Sequence, residues 1–261
     1  MKLIESADNA LFKNLRALAQ DPSAVRRLDQ AWLEGVHLAS AALDAGLTPL
    51  ALVCTAEALR QPEVAALAAR VGDPLVLQLR GALFRQLSGV RQGRELGLLV
   101  RRPAPRAAAA GVAVVLDRVQ DAGNVGAMLR TAAAAGAGVV YCLRGCAGAW
   151  TPKVLRAGMG AHFALSVVED VAWQDIEPRL PRPCYATAAQ AELELYGLDL
   201  RDAVSWVFGN EGGGVAQEVL ARCDGRVRIP QAGRIESLNV AAAAAVCLYE
   251  GLRQRLVAQA R

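Results

Sequence analysis

LDRVQDAGNVGAMLRTAAAAG, residues 116–136, passes from a strand pattern to a helix pattern through a polar loop. A β-type run at 112–117 leads in, and a helix-prone segment opens at Asn124 and closes at Gly136. Asn is a favoured helix N-cap and Gly a favoured residue just past a helix end, so the spacing predicts strand, turn and capped helix. Gly123, Gly126 and Ala127 at the turn allow close approach to the backbone. Asn124 and Arg130 put a carboxamide and a fixed cation at the end of a strand, where open α/β sheets bind ligands.

Downstream of this stretch the α/β pattern continues. Strand candidates lie at 112–117, 138–143, 164–168, 184–187, 205–208 and 226–229, with helical stretches between most of them. Their apolar character predicts a parallel sheet covered on both faces. Upstream, residues 1–100 read as a smaller α/β domain. Its strands are expected at 31–33, 50–54, 75–79 and 96–100, and its helices at 9–19 (Leu11, Leu15 and Leu18 apolar), 36–45 and 57–70. This part holds no convergent set of acid, base and nucleophile, so it reads as a binding module. RRPAPRAAAA, residues 101–110, is the expected linker, because two nearby prolines exclude regular helix. The second domain then covers 111–261.

The 261 residues are 54% hydrophobic and 21% charged, enough to bury real cores and unlike a disordered chain. No apolar run reaches membrane-spanning length, and MKLIESADNALFK carries charges where a signal peptide needs its apolar stretch, so a soluble, cytoplasmic protein is expected. Six scattered cysteines and two distant histidines (His37, His162) lack metal-ligand spacing; reduced core thiols and no metal are expected. Net charge is +4, and all of it resides in residues 1–106, where 14 Lys and Arg face 10 Asp and Glu. Seven arginines fall between Arg80 and Arg106. Arg80, Arg85, Arg91 and Arg94 are the candidate contacts to a nucleic-acid backbone.

Two further loops accompany the first. After the strand at 205–208 comes Gly209-Asn210-Glu211-Gly212-Gly213-Gly214, four glycines in six residues, followed by a helix expected over 215–222. It is neither a P-loop nor a GxGxxG fingerprint, and it places Glu211 at the sheet's carboxyl edge. After 226–229 comes Pro230-Gln231-Ala232-Gly233-Arg234-Ile235-Glu236, then Ser237-Leu238-Asn239 opening an alanine-rich helix. Ser237 is a good N-cap, and Asn239 in a first turn is less expected of a purely structural helix.

The ordered set NVGAMLRTA, FGNEGGGV and IPQAG…ESLNVAAA resembles the three signature motifs of the SpoU/TrmH family of RNA ribose 2′-O-methyltransferases. The resemblance covers about 107–261, and WLEGVHLASAAL is similar to the start of that family's L30e-like substrate-binding extension. Gln231 and Val215 depart from the family's frequent Met and Leu without removing a polar group.

The resemblance implies a deep trefoil knot, S-adenosylmethionine bound by the knotted loops, and a homodimer with the active site near the subunit interface. It implies catalytic roles for Asn124, Arg130, Glu211, Ser237 and Asn239. Cofactor contacts are implied for Gly209, Asn210, Gly212, Gly214, Ile229, Pro230, Gln231, Gly233 and Leu238. The expected substrate is structured RNA, rRNA ahead of tRNA, read through shape and phosphates. The rival reading, an RNA-binding protein with a degenerate methyltransferase domain, is opposed by the presence of all five polar motif residues. An oxidoreductase is disfavoured by the absent GxGxxG.

Overall fold

The computed structural model describes residues 2–89, 95–106, 111–233 and 237–260. The chain divides into two compact units, Met1–Ala104 with Trp150–Phe163, and Pro105–Ala149 with Ala164–Arg261. Residues 150–163 group with the first unit, whereas the sequence reading runs them on with the second domain.

In the first unit, β1 (Lys2–Ile4), β2 (Gln30–Glu34), β3 (Pro49–Thr55), β4 (Val76–Leu79) and β5 (Leu96–Arg101) form a sheet in the order β1-β4-β3-β5-β2. β3 pairs parallel with β4 and antiparallel with β5, so this sheet is mixed. β1 is too short to show an alternation in sequence. Asn9 caps the helix Ala10–Gln20, which buries Phe12, Leu15 and Leu18; Leu11 is only half-buried. The single helix expected over 57–70 is two, Ala56–Leu59 and Pro62–Val71. Pro62 starts the second, and Gln61 before it is extended (ψ 133°), as a residue preceding proline prefers. The helix Pro152–Gly158 packs on β2 in this unit, and Arg156 Nη1 donates to the buried Glu34 carboxylate at 3.0 Å.

The second unit is built on seven strands: β6 (Ala113–Leu116), β7 (Val139–Leu143), β8 (Ser166–Val171), β9 (Cys184–Thr187), β10 (Leu193–Glu194), β11 (Ser205–Phe208) and β12 (Gly225–Arg228). They run in the order β10-β12-β9-β11-β6-β7-β8, and every pairing is parallel. This is the doubly covered parallel sheet that the apolar strands predict. Ala113, Val115, Tyr141 and Val207 pack on one face with Trp173, Ile176 and Val219. Strand alternation turns Val114, Leu116, Trp206 and Phe208, all buried, to the other face.

Two helices, Ala122–Ala134 and Val240–Gln259, pack against each other. The first ends as the sequence predicts. Gly136 takes φ +78°, its N–H bonds to Ala133 O, and Ala137 N–H bonds to Ala132 O, a Schellman end. Arg255 Nη2 donates to Ala135 O at 3.1 Å and satisfies one of the carbonyls that helix leaves open. The helix expected over 215–222 shortens to Gln217–Leu220, because Ala216 is extended (ψ 143°) and its N–H is given to Asp117.

Among the described residues no helix is long and apolar enough to cross a membrane. All six cysteines are free thiols; Cys54, Cys142, Cys184 and Cys247 are buried. Burial pushes the Cys54 thiol up to about 11 and that of Cys247 up to about 12.

Candidate functional site

Because every pairing in the seven-stranded sheet is parallel, the loops after β6, β9, β11 and β12 leave the same edge. The strand order reverses between β6 and its two neighbours, β7 and β11, the place where open α/β sheets form ligand crevices.

The helix after β6 starts one turn earlier than the sequence suggests. Asp121, with extended backbone (φ −77°, ψ 121°), is its N-cap, and its carboxylate accepts the N–H of Asn124 at 2.8 Å. Asn124 is therefore in the first turn, and its carboxamide is released for other work. Asn124 Nδ2 donates to Glu211 Oε1 at 2.9 Å, and Asn124 Oδ1 accepts from Asn239 Nδ2 at 3.1 Å.

The helix after β12 corrects the reading in the opposite sense. Asn239, not Ser237, is the N-cap of Val240–Gln259; its Oδ1 accepts the N–H groups of Ala241 (2.9 Å) and Ala242 (3.2 Å). Ser237 lies two residues earlier and is exposed. Residues 234–236 lie outside the described residues.

Glu211 is the acceptor at the end of this relay. Partial burial raises its pKa, but hydrogen bonds from Asn124 and from the backbone N–H groups of Glu211, Gln120 and Asp121 outweigh that and hold it below the usual carboxylate value. Asn210 closes the glycine loop on itself: its Oδ1 accepts the N–H groups of Gly212 and Gly213, both at 3.0 Å. Gly209 is required on steric grounds, since a Cβ there would lie 2.2 Å from Gly214 C and from Val215 N.

A cavity of about 480 Å³ opens beside this relay. Gly209, Asn210, Gly212 and Gly214 line it, as do Ile229, Gln231 and Leu238; Glu211, Ser237 and Asn239 also line it. Pro230 and Gly233, expected with them, are not among its lining residues. Thr187, Ala188 and Ala189 line it too, and sequence reasoning missed them. The available signal was that β9 ends at Thr187 on the same edge as the other loops. Asp117 and Arg118 were passed over as well, although they stand in the opening stretch; Asp117 is buried and accepts the Ala216 N–H.

Arg130 is exposed, makes no hydrogen bond or ion pair among the described residues, and does not line the cavity. In the first unit, Arg80 pairs with Glu5, and Arg85 lies 3.8 Å from Glu95. Arg91 and Arg94 lie outside the described residues. Among the described residues no group of three or more His, Cys, Asp or Glu side chains could hold a metal ion.

The SpoU rRNA Methylase family model matches residues 111–249. An uncharacterized tRNA/rRNA methyltransferase of Synechocystis is 34% identical over 98% of this chain and 95% of its own. The 23S rRNA (guanosine(2553)-2′-O)-methyltransferase RlmP of Bacillus subtilis is 30% identical over 95% of this chain and 98% of its own. The crystal structure of an AdoMet-bound rRNA methyltransferase from Sinorhizobium meliloti superposes with a TM-score of 0.83 at 28% identity, covering 96% of this chain and 97% of that one.

Proposed function

The chain belongs to the SpoU rRNA Methylase family; it is an S-adenosylmethionine-dependent RNA ribose 2′-O-methyltransferase, and we propose that the loops after β6, β11 and β12 form its active site. The observation that supports this most is the Asn239–Asn124–Glu211 relay at the edge of the glycine-walled cavity.

The cavity fits the cofactor. Its volume falls in the range of about 300–1,000 Å³ usual for small-molecule sites. Ile229, Val227 and Leu238 offer apolar surface for a purine, and the glycine wall offers bare backbone donors and acceptors for the polar parts. S-adenosylmethionine, when bound, supplies a methyl group activated by the positive sulfonium.

The protein's own task is to hold a ribose 2′-hydroxyl in line with that methyl and to ease the loss of its proton. Asn124 is locked by Glu211 on one side and Asn239 on the other, so it is an oriented hydrogen-bonding group for the ribose. Glu211, held ionised, keeps that orientation. Ser237, exposed at the cavity lining, contacts the substrate. A free guanidinium stays protonated up to about pH 12 and is a poor base, which argues against a general-base role for Arg130. The role of Arg130 is to stabilise the developing alkoxide and neighbouring phosphates, for which its exposed side chain, without a partner among the described residues, is available.

The RNA is ribosomal in this reading, as in the Bacillus subtilis relative. The domain of residues 1–100 binds it by shape, with Arg80 and Arg85 against phosphates. A homodimer is part of the same proposal, supported by exposed Tyr249, Leu256 and Val257 on the helix Val240–Gln259. So are the trefoil knot in 111–261 and a cytoplasmic location.

The test is methyl transfer from radiolabelled S-adenosylmethionine to RNA of a strain lacking the protein, digested to nucleosides by size class. Label in a 2′-O-methylnucleoside of rRNA is expected; label only on a base, or only in tRNA, would overturn the corresponding part of the reading.

A further inference from the structure

We infer that Asp117 and Arg118 form a clamp that holds the cavity wall at 209–214 in its binding shape and thereby sets affinity for S-adenosylmethionine; the ligand's identity rests on the function proposed above. Neither residue lines the cavity, so both are positioning residues.

The clamp grips the glycine loop at both ends. At its start, Asp117 N–H donates to Phe208 O at 2.8 Å, and Asn210 Nδ2 donates to Arg118 O at 2.9 Å. At its close, Arg118 Nη2 donates to Gly214 O at 3.2 Å, and Ala216 N–H donates to Asp117 Oδ2 at 2.7 Å. The two side chains are tied to each other, with Arg118 Nε at 2.9 Å from Asp117 Oδ1 and Nη2 at 3.0 Å from Oδ2.

The Asp117 side chain is only 4% exposed. A carboxylate that deep needs its donors, and here they are the guanidinium and one loop N–H. Arg118 itself sits at φ +57°, a left-handed conformation rare for a residue with a Cβ, held by these bonds.

The physical need is plain. A stretch with four glycines in six residues has far more backbone freedom than an ordinary loop of that length, and a ligand that had to order it would bind more weakly. Ordering the loop beforehand moves that cost out of the binding step.

The test uses the full chain in five forms: wild type, Arg118→Ala, Arg118→Lys, Asp117→Asn and the double variant Asp117→Asn/Arg118→Ala, which closes a cycle. Calorimetry with S-adenosylmethionine is expected to show Kd raised about tenfold in Arg118→Ala and in Asp117→Asn, and partly restored in Arg118→Lys. The double variant is expected to be no weaker than the worse single one, because both break one device. In turnover the loss falls on KM for S-adenosylmethionine far more than on kcat, and RNA affinity stays within about twofold.

Amide exchange at Asn210, Gly214 and Ala216 in the ligand-free protein reads the clamp independently of the cofactor and is expected to quicken in each variant. Unchanged exchange in Arg118→Ala, whose half-exposed side chain leaves the core intact, would overturn the clamp. So would fully additive losses in the double variant. Quickened exchange in a protein whose wild type binds no S-adenosylmethionine would uphold the loop clamp and overturn the cofactor reading.

Discussion

Asn239 and Asn124, 115 residues apart in the chain, are joined by a hydrogen bond of 3.1 Å from Asn239 Nδ2 to Asn124 Oδ1. The same Asn239 side chain caps a 20-residue helix through its oxygen, so each end of one carboxamide has its own duty.

Those duties can be separated. Asn239→Asp keeps the capping oxygen but loses the donor, so stability should stay within about 0.5 kcal/mol while methyl transfer falls about 10²-fold. Asn239→Ala loses both and should cost about 1 kcal/mol in addition. Thermal melting and the radiolabel assay, run side by side, read the two effects; equal activity in Asn239→Asp and wild type would refute the relay.

Arg130 should show the catalytic loss alone. With no partner among the described residues, Arg130→Ala should leave stability within about 0.5 kcal/mol and leave calorimetric affinity for S-adenosylmethionine unchanged, while kcat collapses. Substantial rate retained in Arg130→Lys supports a role as a charge.

Gly209→Ala should abolish cofactor binding. The added Cβ would sit 2.2 Å from backbone atoms of Gly214 and Val215, which cannot turn aside as a side chain can. Overpacking of this kind costs about 1–3 kcal/mol, and the loop must leave its present shape to relieve it. Calorimetry on the folded variant checks this.

The Glu211 carboxyl should titrate below 4.5, its ordinary value. A depressed carboxyl contributes order that is fully present above the unfolded value and lost as pH falls through the folded one. The side-chain amide signals of Asn124 should therefore hold steady from pH 7 to about pH 5 and move only in stronger acid. A shift centred near neutrality in an NMR titration would contradict the hydrogen bonding described.

In the first unit, Glu34→Ala should destabilise by about 3 kcal/mol in a denaturant melt. Its side chain is 6% exposed and accepts from Arg156, the Ser88 hydroxyl and Gly89 N–H, so truncation strands a partly buried guanidinium.

The strands of the large sheet were legible because five of them are short apolar runs bounded by turn residues, and β9 and β11 begin and end where the sequence places them. β10, two residues long, carries no periodic signal at all. The caps were misplaced for one shared reason. Asn124, Asp121, Ser237 and Asn239 are all good N-caps, and composition cannot choose between two such residues a few positions apart. Backbone geometry chooses, and in both cases it turned a supposed cap into a tie between loops or a supposed tie into a cap. Thr187–Ala189 is easily missed because these small, unreactive residues carry no chemical signal of their own; only the position of the end of β9 in the parallel order of β9, β11 and β12 points to them.

The grouping of Trp150–Phe163 with residues 1–104 has a consequence for dissecting the protein. The proline-rich stretch at 101–106 invites a cut there, yet a fragment starting at Gly111 would carry Val154, Leu155 and Phe163 away from β2 and its neighbours. Those side chains are at most 6% exposed in the intact chain. Such a fragment would be sticky and prone to aggregate, and the matching N-terminal piece would lack the arginine that answers Glu34. The two halves of the gene product are separable on paper by sequence, but the molecule is sewn with thread taken from the second half.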